Sequence, residues 1–214
     1  MCIRDRNMNK FYKLLFLIPI FIVGCKSNSL INKDFSQVID NIDMNIFSTE
    51  GEKLFSIKSP SSSYENNSNI FKLKETTIHI LKNNETEYII TSDISKFSNN
   101  KLLELKGNVS VRNFTQEADK LYANSFTWDI SNTEYVLFGN VKFENNTLTL
   151  SSNKAILNKA DNIIKFFSPV KYKIKESNNE SVYEINSENA FYNIKTNSVS
   201  FTSKEDKVRS KIYF

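Results

Sequence analysis

Few side chains in this 214-residue sequence can do covalent chemistry. The one histidine, His79, stands between Ile78 and Ile80, so strand alternation turns it outward, where a lone imidazole is a solvated group rather than a ligand or general base. Of the two cysteines, Cys2 and Cys25, the second closes Ile22-Val23-Gly24-Cys25. It ends an apolar run, Leu14 to Val23, that follows Lys10 and Lys13. A basic start, a short apolar run and a small residue before cysteine form a lipobox, where cleavage precedes the cysteine and its thiol is acylated. The run of ten residues is shorter than the about 20 that a helix needs to cross a bilayer. Cys25 is therefore the expected lipid anchor, the alternative being a chance cysteine that ends a weak membrane segment. Residues 1–7 precede a normal start at Met8 and read as an upstream mis-start, which leaves Cys2 without a role.

The other chemistry-bearing patterns are thin. Glycine-rich phosphate loops are absent, and the acidic pairs Glu50/Glu52, Glu85/Glu87 and Glu205/Asp206 fall in predicted turns, where solvated charges are expected. With Cys25 acylated, no thiol is left for a nucleophile, a disulfide or a zinc site. The expectation is a chain with no enzyme activity, no cofactor and no metal. Its formal charge of +4 falls to +1 once Arg4, Arg6, Lys10, Lys13 and Asp5 of the signal are removed. The remaining charges are mixed in sign and scattered along the chain, so no nucleic-acid partner is expected. A secreted domain without disulfides must be held by its own core, and about 190 residues suffice for one.

The elements that would carry such a core repeat. A small residue recurs at Ser59, Ser92, Ala123, Ser152 and Ser187, at steps of 33, 31, 29 and 35. Two residues before each is a large aliphatic (Ile57, Ile90, Leu121, Leu150, Ile185); five after each is a ring or a leucine (Tyr64, Phe97, Trp128, Leu157, Tyr192). A drifting period near 30 predicts one supersecondary unit used about five times, each copy burying its apolar side on the next. Period-two alternation fills the units. Leu103, Leu105, Val109 and Val111 point one way, and Glu104, Lys106, Asn108 and Ser110 the other. Tyr135, Leu137, Val141 and Phe143 repeat the pattern, as do Ile164, Phe166, Val170 and Tyr172, and Ile78 with Ile80 matches it upstream. Gly107 and Gly139 share a repeat position within Gly-Asn-Val and predict bulges where the sheet bends; Ser168-Pro169-Val170 takes their place in the next copy. Asparagine-rich turns such as Asn83-Asn84 and Asn99-Asn100 close hairpins without glycine. The fold predicted is all-β: ten or more short antiparallel strands in an open, twisted, folded sheet of about five degenerate repeats. Phe35, Val38, Ile39 and Ile42 fit either a helical turn or an edge strand.

A sheet folded over without closing would leave an apolar trough, whose wall these inward rows form and which the five small residues would mark as strand entry points. Each methylene buried there is worth about 0.8 kcal/mol, enough in sum to hold acyl chains. Its last strand would stay unpaired unless another protein adds to it, with Val208, Ile212 and Phe214 as the edge.

Three stretches resemble the LptC family: Phe47 to Ser59 closing at Tyr64, the Leu-x-Leu-x-Gly-Asn-Val of 103–109, and Leu-Tyr-Ala-Asn-Ser-Phe-Thr-Trp-Asp at 121–129. They look like the OstA-type repeats common to LptC, LptA and the periplasmic part of LptD, over about residues 44–200. The resemblance implies an open β-jellyroll that relays lipopolysaccharide from an LptB/LptF/LptG-like ABC transporter to an LptA-like bridge. It also implies a periplasmic, membrane-anchored domain, with the inner membrane favoured. The lipobox departs from the transmembrane helix of familiar members and leaves the outer membrane open. The domain reading is 1–25 signal, 26–43 polar tether and entry segment, and 44–214 a single β-jellyroll. Two other classes remain: a structural or adhesive surface lipoprotein with a closed core, and a β-solenoid enzyme on polysaccharides, which would need a repeat-phased charged cluster.

Overall fold

The computed structural model describes residues 36–113, 119–175, 181–204 and 208–212. Cys25 with the whole signal and tether, Phe35 and Phe214 fall outside them. The chain divides at Lys33/Asp34 into two units, and the described residues all belong to the second.

These residues form twelve strands and no helix: β1 (Ser36–Phe47), β2 (Lys53–Glu65), β3 (Ile70–Lys82), β4 (Glu85–Ser98), β5 (Leu102–Asn113), β6 (Lys120–Asp129), β7 (Glu134–Glu144), β8 (Leu148–Asn158), β9 (Ile163–Lys175), β10 (Ser181–Asn193), β11 (Ser198–Thr202) and β12 (Arg209–Ile212). From β1 to β11 each strand pairs antiparallel with the next, in a single sheet. The links are tight. Asn83 and Asn84 have φ of 52° and 64°, and Asn99 and Asn100 have 52° and 53°, the paired positive values of a two-residue hairpin turn. Asn145 and Asn158 act differently: their side-chain oxygens accept backbone N–H groups two and three residues on.

Two expectations change. Residues 36–43, placed in the entry segment ahead of the domain, belong to β1, so the sheet starts eight residues before position 44, and Val38, Ile39 and Ile42 lie in an edge strand. The first ten strands are long, from 10 to 14 residues, rather than short. Their length is explained by a fold line that crosses the sheet at mid-strand.

The five small residues lie on that line and not at strand entries. Ladder register breaks beside them between Thr91 and Ile94, Tyr122 and Ser125, Ser151 and Lys154, and Ser187 and Asn189. Inward positions step by two along each half-strand but by three across the line: Ser59 to Ser62, Ser92 to Ser95, Ala123 to Phe126, Ser152 to Ala155, Ser187 to Ala190. At the last four the extra residue is a bulge, and bulges bend a sheet; at Ser59 both neighbouring ladders keep their register. In four of the five strands the serine hydroxyl donates to the carbonyl two residues on, at 2.8 Å from Ser59, 3.4 Å from Ser92, 2.9 Å from Ser152 and 3.0 Å from Ser187. The intervening strands meet the line with positive φ, at Asn41, Glu75, Gly107-Asn108 and Gly139-Asn140. Glycine is required at two of these places. A Cβ on Gly107 would lie 2.5 Å from the Asp93 carboxylate, and one on Gly139 2.8 Å from the Asn124 amide. The covering residues are tied down, Asn108 donating to Asp93 at 2.9 Å and Asn140 to Asn124 at 3.4 Å. In β9 the line passes at Ser168-Pro169, joined by a cis peptide bond.

The fold line divides the sheet into two leaves. The first leaf holds the half-strands joined by hairpins at 48–52, 83–84 and 145–147; the second holds those joined at 66–69, 99–101 and 130–133. The leaves face one another across rings. Phe55 of the first lies 6.2 Å from Phe97 and 5.0 Å from Trp128 of the second, and Phe143 lies 4.5 Å from Tyr192. The two sheet edges differ. At the start β1 runs unbroken through both leaves. At the end β10 forks: Asn189–Asn193 pair with β11, and Tyr183–Asn186 with β12.

Candidate functional site between the leaves

Every apolar position assigned to the trough wall is buried. Ile57, Ile78, Ile90, Leu103, Leu105, Leu137, Leu150 and Phe166 are fully enclosed; Ile80, Phe97, Val109, Val111, Leu121, Trp128, Tyr135, Val141, Phe143, Val170 and Ile185 are nearly so. All but Ile185 join a single core cluster. Alternation fixes this: each half-strand has one face on the other leaf and one in solvent. His79 falls on the outer side, in line with Ser56 and Ile89, but it is half-buried there beside a buried Ser56.

Sequence reasoning missed part of the wall. Phe55, Leu73, Phe126 and Ala190 are as deeply buried as the assigned residues. Phe126 follows Ala123 by three, so strict alternation carried through the fold line turns it outward. The bulge corrects the phase, and Gly139-Asn140 on the neighbouring strand was the available signal.

Among the described residues the space between the leaves is packed with side chains. The rings of Phe55, Phe97, Phe143, Phe166 and Tyr192 occupy the space between the leaves. An apolar hollow lined by Tyr88, Val111, Leu121, Phe143, Leu157 and Ile194 measures about 20 Å³, room for about one water. An acyl chain needs many times that volume, so it can enter only if the leaves part.

They would part at the free margin, where the hollow meets a wider polar mouth of about 300 Å³ that includes Lys82, Glu85, Glu87, Asn113, Asn162 and Lys195. Among the described residues several side chains meet at this margin. Lys159 of the second leaf pairs with Glu87 of the first at 3.1 Å. The Tyr192 hydroxyl donates to Asn197 at 2.8 Å and accepts from Asn145, 47 residues away in sequence, at 3.3 Å. Burial pushes the Tyr192 and Tyr88 phenols up to about 12, so both stay neutral donors. Asp119 is also here, 7% exposed, with one carboxylate oxygen lacking any hydrogen-bond partner among the described residues. Its burial raises the carboxyl above the usual range, against a smaller opposite effect from Asn145. No group of three or more possible metal ligands occurs among the described residues.

The edge residues are distributed unevenly. Val208 is 44% exposed just before β12, Ile212 is in the β12–β10 ladder opposite Tyr183, and Phe214 falls outside the described residues.

No curated protein matches the sequence significantly. Among solved structures, the chain is similar to LptH of Pseudomonas aeruginosa, described as the LptA homologous periplasmic component of the lipopolysaccharide transport device. The two share 13% identity at a TM-score of 0.47, over 59% of this chain and 94% of that one. A family model described as "Lipopolysaccharide-assembly, LptC-related" matches residues 25–136. That match spans more than half of the sequence, and the chain belongs to the LptC-related lipopolysaccharide-assembly family.

Proposed function

We propose that this protein is a lipid-anchored periplasmic conduit that takes lipopolysaccharide acyl chains between its two leaves. At the coarser level it is a periplasmic, non-enzymatic component of lipopolysaccharide transport, as its family is. The observation that carries the finer reading is the interior: a single sheet, doubled over, whose facing rows are apolar from β2 to β10 and whose free margin is bridged by side chains such as Lys159 with Glu87 and Tyr192 with Asn145. Such an arrangement can trade contacts between its leaves for contacts with acyl chains at little net cost per methylene.

The edges suit a relay. The N-terminal strands, about residues 44–59, would face an LptB/LptF/LptG-like ABC transporter that supplies the energy. The forked C-terminal edge, with Val208, Ile212 and Phe214, would accept an LptA-like bridge by strand addition. Cys25 would be acylated and tether the domain to a membrane, the inner one by analogy with the family.

The test places a photo-crosslinking amino acid at Ile194, which lines the hollow, in the full chain, with Thr127 on the outer face of the second leaf as control. Lipopolysaccharide adducts at 194 and none at 127 are expected. A folded variant without an adduct at 194 overturns the conduit and leaves the closed-core structural lipoprotein as the reading.

A further inference from the structure

Cations that are dispersed along the chain meet on one outer face of the sheet. Two adjacent cross-strand lines run over the outside of the first leaf from β5 to β12. One carries Arg112, Lys120, Glu144, Lys173, Glu184 and Lys211; the other carries Lys142, Lys171 and Arg209, with Tyr122 and Ser151 between them. Seven basic side chains thus stand against two acidic ones, in a protein whose exported part sums to only +1. Both carboxylates are taken: Glu144 by Lys142 at 2.7 Å and Glu184 by Lys173 at 2.5 Å. Among the described residues Arg112, Lys120, Lys171, Arg209 and Lys211 have no ion pair. Glu188, on the fold line, shares a hollow with Arg209, and its carboxylate accepts the Lys204 amide. The hydrogen bond from Lys173, with the charges of Lys211 and Lys171 adding to it, holds Glu184 below the usual carboxylate range.

Arg112 and Lys120 stand directly opposite one another, and like charges so placed oppose strand pairing, a cost that stability alone does not explain. Six strand steps make the face about 29 Å long. The hollow beside Arg209 also holds the Glu188 carboxylate, which disfavours a small anion there. The face is also poor in what a protein interface needs at its centre. The large exposed hydrophobics of the described residues, Val38, Phe47, Ile94, Phe138 and Val208, all lie off these two lines. The outside of the second leaf carries cations too, but Lys72 and Lys96 are paired with Glu65 and Glu104, Lys106 and Lys154 share their line with the bare Phe138, and Lys154 lies over the Phe167 ring.

We propose that the outer face of the first leaf docks on an anionic bilayer surface. Each cation within a screening length of such a surface adds to the attraction, and an extended array of them engages without any fitted pocket. Docking would fix which way the free margin and the forked edge point. The proposal uses the membrane proximity read from Cys25 but not the loading of lipid between the leaves.

The experiment anchors the full chain in vesicles of phosphatidylcholine, with or without phosphatidylglycerol. Ser151→Cys at the centre of the face and Thr127→Cys on the other leaf are labelled with a water-soluble maleimide. Peptide mass spectrometry reads each site apart from Cys2 and Cys25. Labelling at 151 is expected to slow about tenfold on the anionic vesicles only, with no change at 127. Lys171→Glu with Lys211→Glu, or about 1 M salt, where the screening length is about 3 Å, should restore it. Both lysines are exposed, so the double variant keeps the fold, and unchanged melting checks this. Equal slowing at both sites, slowing on phosphatidylcholine alone, or indifference to charge reversal overturns the proposal. Crosslinking at 194 in the same variants reads lipid loading separately, so either reading can fail without the other.

Discussion

The fold line and the free margin are the two places where the leaves meet, and they are built from different materials. The fold line is backbone: bulges in neighbouring strands, positive φ at Asn and Gly, and serine hydroxyls bonded to carbonyls two residues on. The margin is side chains: Lys159 with Glu87, Tyr192 with Asn145 and Asn197, and a buried Asp119. Changing the first means breaking ladders that span the whole sheet, whereas changing the second costs a few contacts worth about 1 kcal/mol each. If the leaves part to admit lipid, as proposed, this difference makes the fold line the hinge and the margin the side that opens.

The largest break in that contrast comes at Gly139. A valine there must hold a φ of 78° and place its Cβ 2.8 Å from the Asn124 amide. Gly139→Val is expected to lower stability by on the order of 2–4 kcal/mol, read as a shift in urea midpoint. It should do so without raising the rate of lipopolysaccharide loading. Faster loading by this variant would make the hinge assignment wrong.

A smaller effect with the opposite functional sign is expected at Tyr192. Tyr192→Phe keeps the ring against Phe143 and removes the hydroxyl that joins Asn145 to Asn197. Stability should fall by about 1–2 kcal/mol, since two hydrogen bonds are lost, while photo-crosslinking at Ile194 becomes faster. Slower or unchanged crosslinking alongside the lost stability would show that the margin is not the entrance.

How much of this was legible in the sequence follows from what each feature depends on. The inward rows were legible because alternation acts within a strand, and Leu103/Leu105 or Tyr135/Leu137 announce their face locally. The five small residues were legible as a repeat but not as a fold line. A step of three, as from Ala123 to Phe126, looks like lost alternation until the neighbouring strand shows the bulge. The packed interior was not legible, because the ring contacts that fill it, Phe55 with Trp128 and Phe143 with Tyr192, join residues of similar type anywhere along the chain. The basic face was hidden for the same reason. Lys142, Lys171 and Arg209 are about one repeat apart in sequence, so a count along the chain reads them as scattered.

Asp119 gives the subtlest test of the margin, because its contribution changes sign with the form it takes. Burial makes its carboxyl release a proton less readily in the folded protein than in the unfolded chain. Below the unfolded value both states keep the proton and nothing is lost. As pH rises through the raised folded value the unfolded chain ionises more readily, and the fold loses stability that it does not regain at neutral pH. Asp119→Asn removes that loss while keeping an acceptor for Asn145. The variant is expected to melt higher than the parent at about pH 7, with the gap closing by about pH 3. A parent that instead melts higher than the variant at about pH 7, with that advantage lost by about pH 3, would mean that Asp119 is ionised and held by a partner, and the margin would then be a sealed charge network rather than a side ready to open.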